Sequence, residues 1–276
     1  MIYIGTAGFS YQDWKGAFYP ENQDKKFMLE YYSSRFPVVE VNSTWHALPS
    51  PRSILSMARR TPQRFQFIIK AYKGLTHAYK ENEEEFTRFK EVIRPMEDHG
   101  KLACVLAQFP WGFKNTEANR GYLRLFRDRL PSRDIVVEFR NEQWITDETM
   151  DLLRELDMGF CCVDEPRLKG LVRPHVYLTT GIGYLRFHGR NYETWWDRKR
   201  QSWERYNYLY GEEELEEWVP GLLQLDEGAE RTYAIFNNHY RSKAPRNAAM
   251  LARLLPAEKV VPLRVEEQPG RLWEEE

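Results

Sequence analysis

The residues of this chain best suited to chemistry are acids, bases and amides that end short apolar runs. The stretch YLRFHGR shows the pattern, because Arg186, His188 and Arg190 alternate with apolar or small residues. Alternate side chains of a β-strand point to opposite faces. The three basic groups are therefore expected to share one face, and the apolar residues the other.

Seven other apolar runs end in the same way. Their polar residues are Thr6, Glu40, Asn42, Lys70, Gln108, Glu138, Arg140, Asp164, Asn237 and His239. Such groups are costly to bury without partners. We therefore expect them to pair with one another or with a ligand.

The acids and the imidazole are suited to general acid–base catalysis, since burial and neighbouring charges shift the pKa values of carboxyl groups apart. The predicted catalytic residues are Glu40, Glu138, Asp164 and His188, with Glu40 orienting the other three. The same oxygen and nitrogen set suits Mg²⁺, Mn²⁺ or Zn²⁺, so a divalent metal remains an alternative. Neighbouring Arg and Lys residues and the lack of an HExxH-type spacing argue against it. No metal-binding residue and no cofactor are predicted.

The basic residues of these runs are suited to binding an anion, because Arg holds phosphate or carboxylate with two parallel hydrogen bonds. The residues predicted to bind it are Lys70, Arg140, Arg186 and Arg190. We therefore expect a small anionic substrate, phosphorylated or sugar-containing.

Three loops add candidate residues. The loop 6–20 is rich in Gly and aromatic residues and is long for its place, which suggests a function. The loop 73–78 contains His77, and 190–211 mixes three Trp and four Tyr with five Arg or Lys. Such a mixture could stack on sugars or bases while holding phosphates. Alternatively, it could be a lid that packs its own Trp side chains.

The elements that must position these residues alternate along the chain. Predicted strands are 2–7, 38–44, 65–71, 103–109, 135–140, 160–165, 184–189 and 233–238. Amphipathic patterns predict helices over 25–36, 51–62, 81–100, 116–130, 146–159, 212–225 and 244–255. Thr146 is the expected N-cap of its helix, and Gly100 the expected C-cap.

Strands that alternate with helices form parallel sheets, and eight such units predict an α/β fold, a (β/α)8 TIM-barrel-like domain spanning 1–276. The stretch 166–183 has no helical pattern, so the crossover between strands six and seven is expected to be irregular. Active sites of such barrels lie at the carboxyl ends of the strands. All the polar residues named above fall there.

The composition limits the partners. The 276 residues include 40 Lys or Arg and 41 Asp or Glu, so no bulk field attracts the chain to nucleic acid or membranes. No stretch approaches the roughly 20 apolar residues of a membrane span, and the start enters a strand-like run without a leader pattern. The three cysteines lie in apolar runs without CxxC spacing. They are expected to be reduced and buried in a cytoplasmic protein.

Together the segments resemble the YecE-like family, a family of unknown function. The motifs that carry the resemblance follow in order over 3–255: GTAGFSYQDWKGAFYP, EVNSTWHALP, FQFIIKAYKGLTH, AQFP, VEFRNEQW, CVDEP, YLRFHGR and FNNHYRSKAPRNA. The resemblance implies a TIM-barrel-like fold but no particular reaction. It adds Trp144 and Asn238 to the candidates for substrate binding, beside Asn42, His77, Gln108, Asn237 and His239.

One position departs from the family pattern. Relatives usually have Phe-Tyr after the Asn-x-Thr of the second motif, whereas this chain has Trp45 and His46. If this aromatic position contacts a ligand, the preference of this protein differs from that of its relatives.

Three functions are compatible with these residues. The first is an enzyme that uses acid–base chemistry on a small anion. The second is a metal-assisted phosphoester hydrolase or sugar isomerase. The third is a nucleic-acid or metabolite binding protein without turnover, against which the balanced charge argues. The sequence makes no prediction of oligomeric state.

Overall fold

Eight parallel strands form a closed barrel in the order of the chain. A computed structural model describes residues 1–79, 82–197 and 203–262. Each strand pairs with its neighbours in sequence, and β1 closes the barrel against β8. The strands are β1 (Ile2–Ala7), β2 (Val38–Val41), β3 (Gln66–Lys70), β4 (Leu102–Gln108), β5 (Ile135–Glu138), β6 (Met158–Asp164), β7 (Ile182–Phe187) and β8 (Arg231–Phe236).

Helices and short helical turns connect the strands and cover the barrel. The α-helices are α1 (Met28–Arg35), α2 (Ser43–His46), α3 (Pro51–Arg59), α4 (Lys73–Thr76), α5 (Glu83–Asp98), α6 (Glu117–Arg129), α7 (Asp147–Glu155), α8 (Glu212–Glu216), α9 (Val219–Gly228) and α10 (Lys243–Leu254). Thr146 caps α7 by accepting from the amide of Thr149, as expected. Gly100 follows α5 with a φ of 64°, a conformation that favours Gly.

Two apolar clusters lie on opposite faces of the strands. The inner cluster fills the barrel and includes Val38, Leu106 and Val163. The outer cluster joins the strands to the helices, as Phe187 and Leu185 do on β7. Because both faces of the strands are covered, most strand residues before the carboxyl ends are apolar, with polar exceptions at the starts of β3 and β8.

The (β/α)8 prediction is confirmed, including the irregular crossover, since residues 165–181 between β6 and β7 contain no helix. The three cysteines are buried and free, as expected. Within the described ranges, no helix is both long enough and apolar enough to cross a membrane. The predicted domain extends over 263–276, which lie outside the described residues, as do 198–202 of the aromatic loop.

Candidate functional site

The strands bring most of the predicted residues to the carboxyl end of the barrel, facing its axis. On β7, Tyr184 belongs to the inner apolar cluster and Leu185 to the outer one, so Arg186 and His188 face inward. This confirms the expected alternation of that strand. Glu40, Lys70, Gln108, Glu138, Arg140 and Asn237 also lie on the inner side of their strands, by the same alternation.

Arg186 lies at the centre of a buried ion-pair network, which we call the inner network: Glu40, Glu138, Glu165, Arg140 and Arg186. Nη1 of Arg186 lies 2.5 Å from Oε2 of Glu138, and Nη2 lies 2.5 Å from Oε1 of Glu40. Tyr184 also donates to Glu40, at 2.8 Å. The side chains of Arg186 and both acids are almost wholly buried.

Arg140 also contacts Glu138 and joins a third acid, Glu165, to this network. Its Nε lies 2.5 Å from Oε1 of Glu138, and its Nη1 donates to Glu165 at 2.9 Å. Burial by itself would raise the pKa of Glu138, but Arg140 and Arg186 hold it well below its usual range. Glu138 is therefore a carboxylate that fixes two guanidinium groups.

Glu165 is a residue of this network that the sequence analysis missed. It follows β6 and lies on the inner side with Val163, while its Oε1 accepts from the amide of Val172. Burial, reinforced by Glu138, raises the pKa of Glu165 to about 7 in spite of Arg140. Glu165 is therefore only partly ionised near neutral pH.

Above the inner network lies a cavity of about 510 Å³ at the mouth of the barrel. Its lining residues come from nearly every strand end and from the loops beyond them. They are Tyr11, Asn42, Trp45, His46, Lys70, His77, Gln108, Pro110, Trp111, Arg140, Leu171, Arg186, Trp195, Trp196, Trp203, Arg205, Tyr206, Asn237 and His239.

The charged residues that line the cavity are all cations. In the part of the chain that the structure describes, four Lys or Arg residues line it and no Asp or Glu does. The carboxylates of the inner network lie behind the arginines. In addition, Nε of Arg186 and Oδ1 of Asn42 are buried without a hydrogen-bond partner among the residues described. Buried polar atoms without partners are rare in folded proteins and call for an explanation, such as a ligand.

Lys70 is a lining residue whose pKa is moved close to neutral pH. Its Nζ donates to Oε1 of Gln108 at 2.9 Å and lies 5.4 Å from the ring centre of Trp45. Burial, followed by the charge of Arg186, lowers the pKa of Lys70 to about 7. Lys70 can therefore both attract an anion and exchange a proton with it.

Two of the candidate histidines lie at the cavity wall and one beneath it. Nδ1 of His77 and the hydroxyl group of Thr76 form a hydrogen bond of 2.9 Å. Burial and the charge of Lys70 lower the pKa of His77 to about 4. His239 stacks on Tyr11 with ring centres 4.6 Å apart. His188 is fully buried between Glu138 and Asn237, and burial, with Arg140, lowers its pKa to about 3.

Asp164 and Arg190, which the sequence analysis assigned to the site, lie on the outer side of the barrel. Asp164 lies two residues after Cys162, which belongs to the outer cluster, so the two side chains lie on the same face of β6. It accepts from Arg190 at 2.8 Å, from Tyr210 at 2.7 Å and from Trp218 at 2.6 Å. We call these four residues the outer network. They tie the loop after β7 to α8 and do not line the cavity.

The two candidates that rested on the family resemblance alone also lie outside the cavity. Trp144 is fully buried, stacks on Phe139 and donates its indole N–H to the carbonyl of Phe113. Asn238 is buried and donates to Asn247 and to the carbonyl of Tyr208. Packing and hydrogen bonding within the fold explain Trp144, whereas Oδ1 of Asn238 is buried without a partner among the described residues.

The four residues considered for a divalent metal do not converge on one point. Glu40 and Glu138 are ion-paired with Arg186, His188 lies beneath the cavity and Asp164 faces outward. Across 1–79, 82–197 and 203–262, no three His, Cys, Asp or Glu side chains are arranged to hold a metal ion. The side chains instead form hydrogen bonds and ion pairs within the protein.

The long loops supply aromatic side chains that a search for polar residues at the strand ends does not identify individually. Trp195, Trp196 and Trp203 of the loop after β7 line the cavity, whereas Tyr210 of the same loop packs into the core. The loop therefore contributes three Trp side chains to the cavity wall and Tyr210 to the core. Trp45 and His46, where this chain departs from the family pattern, also line the cavity.

The sequence features that could have identified the missed residues differ from one residue to the next. Trp111 follows the fourth predicted strand directly, so its position after a strand end could have identified it. Glu165 adjoins Asp164, but Cys161, Cys162 and Val163 before them give no alternation from which to choose the inward one. Arg205 and Tyr206 lie far from any strand end in sequence, and only the path of the loop places them at the cavity.

Comparisons with known proteins agree with the fold. The model of a family described as "Protein of unknown function DUF72" matches residues 3–271. The UPF0759 protein YunF of Bacillus subtilis is 32% identical over 273 residues, which cover 94% of this chain and 96% of that protein.

Solved structures of two relatives share the barrel. A DUF72 family protein from Thermotoga maritima is 38% identical, with a TM-score of 0.85 over 92% of this chain and 98% of its own. A DUF72 family protein from Enterococcus faecalis is 26% identical, with a TM-score of 0.83 over 92% of this chain and 95% of its own.

Proposed function

The chain belongs to the DUF72 family, and we propose that it is an enzyme that binds a small anionic substrate at the barrel mouth and transfers protons there. In this proposal, the YecE-like family that the motifs resemble and the DUF72 family are the same family. The observation that carries the proposal is the cavity lining, whose charged residues are all cations among the described residues. An anion bound there would meet Arg140, Arg186 and Lys70.

The arginines are suited to positioning the anion. Because Glu40 and Glu138 hold both guanidinium groups from behind, the arginines are fixed before any ligand arrives. A preorganised cation loses less conformational entropy on binding than a flexible one. Nε of Arg186 is buried without a hydrogen-bond partner among the described residues, and because the side chain lines the cavity, this N–H is a donor left over for an acceptor atom of the substrate.

In this proposal Lys70 carries the proton, in place of the acids and His188 that the sequence analysis favoured. A pKa of about 7 leaves Lys70 partly protonated at neutral pH, as a general acid or base requires. Gln108 orients its ammonium group. His188 has no contact with the cavity and positions Glu138.

Sulfate binding tests the anion site. We expect wild-type protein to bind sulfate by isothermal titration calorimetry, and Lys70→Met to bind it at least tenfold more weakly, about 1.4 kcal/mol. Arg94→Gln removes an exposed charge from α5 as a matched control and should bind like the wild type. Undetectable binding of sulfate and phosphate by the wild type would overturn the proposal.

Turnover tests the enzymatic part separately. Wild-type protein is incubated with a panel of phosphomonoesters and followed by ³¹P NMR, with Lys70→Met beside it. We expect a new phosphorus signal with the wild type and none with the variant. Binding without turnover across the panel would instead support the alternative of a metabolite-binding protein.

A further inference from the structure

The outer half of the cavity is built from aromatic rings rather than polar groups. Trp111 and Trp196 meet edge to face, with ring centres 6.2 Å apart, and are 43% and 50% exposed. Exposed large aromatic side chains that meet at the mouth of a cavity mark a binding surface more often than scattered ones do. The pair therefore calls for a ligand with an apolar face.

Contacts within the protein hold Trp111 and Trp195, the neighbour of Trp196, in place. The indole N–H of Trp111 donates to the carbonyl of Gly170 at 3.0 Å. Trp195 lies between two guanidinium groups, those of Arg140 at 6.0 Å and Arg205 at 5.6 Å from its ring centre. A ring held in this way is a rigid platform, which costs little entropy when a second ring stacks on it.

The inner half of the cavity offers few acceptors for the hydroxyl groups of a free sugar. In the described part of the chain, no carboxylate lines it. The amide of Gln108 is already used by Lys70 and by the carbonyl of Phe109. The side-chain nitrogen of Asn237 is paired with Nδ1 of His188, and among the described residues Oδ1 of Asn42 is a buried acceptor without a partner. Recognition of many hydroxyl groups therefore has little support, whereas one anion and one flat ring are well matched.

We propose that the ligand of this cavity is a nucleoside monophosphate, with its phosphate against Lys70 and Arg186 and its base stacked at Trp111 and Trp196. This inference rests on the proposed anion site and names the class of substrate for it. A cavity of about 510 Å³ is of the size that small-molecule ligands occupy. Stacking on an aromatic ring accepts any base, since every base has a π face.

Affinity measurements across a ligand series test the inference. The series is inorganic phosphate, ribose 5-phosphate, a nucleoside monophosphate and the same nucleoside without phosphate. We expect the monophosphate to bind at least tenfold more tightly than ribose 5-phosphate, the gain that base stacking provides. The nucleoside alone should bind more weakly than the monophosphate.

Variants of the aromatic pair separate stacking from anion binding. Trp196→Ala and Trp111→Ala should lower the affinity for the monophosphate to near that for ribose 5-phosphate and leave phosphate binding unchanged. Phe27→Ala removes another exposed ring, 51% exposed, which does not line the cavity, and should change nothing. Equal wild-type affinities for the monophosphate and ribose 5-phosphate would overturn the inference but not the proposed function. Failure of every anion to bind would overturn both.

A 5′-phosphorylated tetranucleotide distinguishes a free nucleotide from the phosphorylated end of a nucleic-acid strand, which carry the same phosphate and base. Tighter binding than the mononucleotide would support the inference with the end of a strand as ligand. Weaker binding, with the mononucleotide still preferred over ribose 5-phosphate, would support a free nucleotide.

Discussion

The inner network, at the carboxyl ends of β2, β5, β6 and β7, and the outer network, beside the ends of β6 and β7, both contain buried acids paired with Arg but differ in what they leave unpaired. The outer network is saturated, because Asp164 accepts from Arg190, Tyr210 and Trp218. In the inner network, Nε of Arg186 has no partner and the guanidinium group borders the cavity. A buried ion pair therefore indicates a binding site only when it has hydrogen-bonding capacity left over beside an open space.

The largest effect is expected from Arg186→Gln, which breaks the inner network. Glu40 loses its guanidinium partner and Glu138 loses one of its two, and leaving buried carboxylates short of partners costs about 3–5 kcal/mol of unfolding free energy. The affinity for sulfate should also fall at least tenfold. Urea denaturation and calorimetry measure the two effects.

Two further variants control for this change. Arg231→Gln breaks a partly exposed pair with Asp134 and should cost less than about 1 kcal/mol. Arg186→Lys keeps the charge, so it should retain part of the sulfate affinity even where the Gln variant does not fold. Unchanged sulfate affinity in a folded Arg186→Gln protein would contradict the difference drawn between the networks.

A smaller and purely structural effect is expected from Asp164→Asn in the outer network. The substitution removes the buried charge that Arg190, Tyr210 and Trp218 share, and should lower the free energy of unfolding by about 3 kcal/mol. Arg190 keeps its contacts to Glu214 and Glu217, which limits the loss. Sulfate affinity should stay at the wild-type value. A loss of affinity without a loss of stability would show that Asp164 takes part in the site after all.

The smallest effect is a pH dependence of sulfate binding, which we expect from Lys70 at the cavity and Glu165 of the inner network and not from the outer network. Lys70 loses its positive charge and Glu165 gains a negative one as pH rises through about 7. Both changes disfavour an anion, so sulfate affinity should be nearly constant below pH 6 and should decrease above pH 7. Sulfate itself does not titrate in this range, so the titration of the ligand does not contribute.

The combined variant Lys70→Met with Glu165→Gln tests the assignment of this pH dependence. Its sulfate affinity, measured by the same calorimetric titration, should be lower than that of the wild type but independent of pH between 6 and 9. A slope that persists in the variant would mean that another group titrates. Affinity that rises with pH in the wild type would contradict the charges assigned to Lys70 and Glu165.

The positions of some candidate residues followed from the sequence because β7 and β5 show their phase in their own residues. Arg186 and Glu138 were expected at the strand ends and lie there, bonded to each other. On β6 the same reasoning favoured Asp164, and the inward acid is Glu165. Trp144 and Asn238, taken from the family resemblance, contribute to packing outside the cavity.

The sequence by itself determined the eight strands, their order and the polar residues at their carboxyl ends, because apolar runs and helix caps are local patterns. Only the tertiary structure decided which acid faces the axis and which loop reaches the mouth. A parallel strand covered on both faces carries no alternation that marks its inner side. The inner side is set by pairing with neighbouring strands around the closed barrel, which decides the direction of Glu165 after β6. The path of the loop after β7 decides that Trp196 lines the cavity.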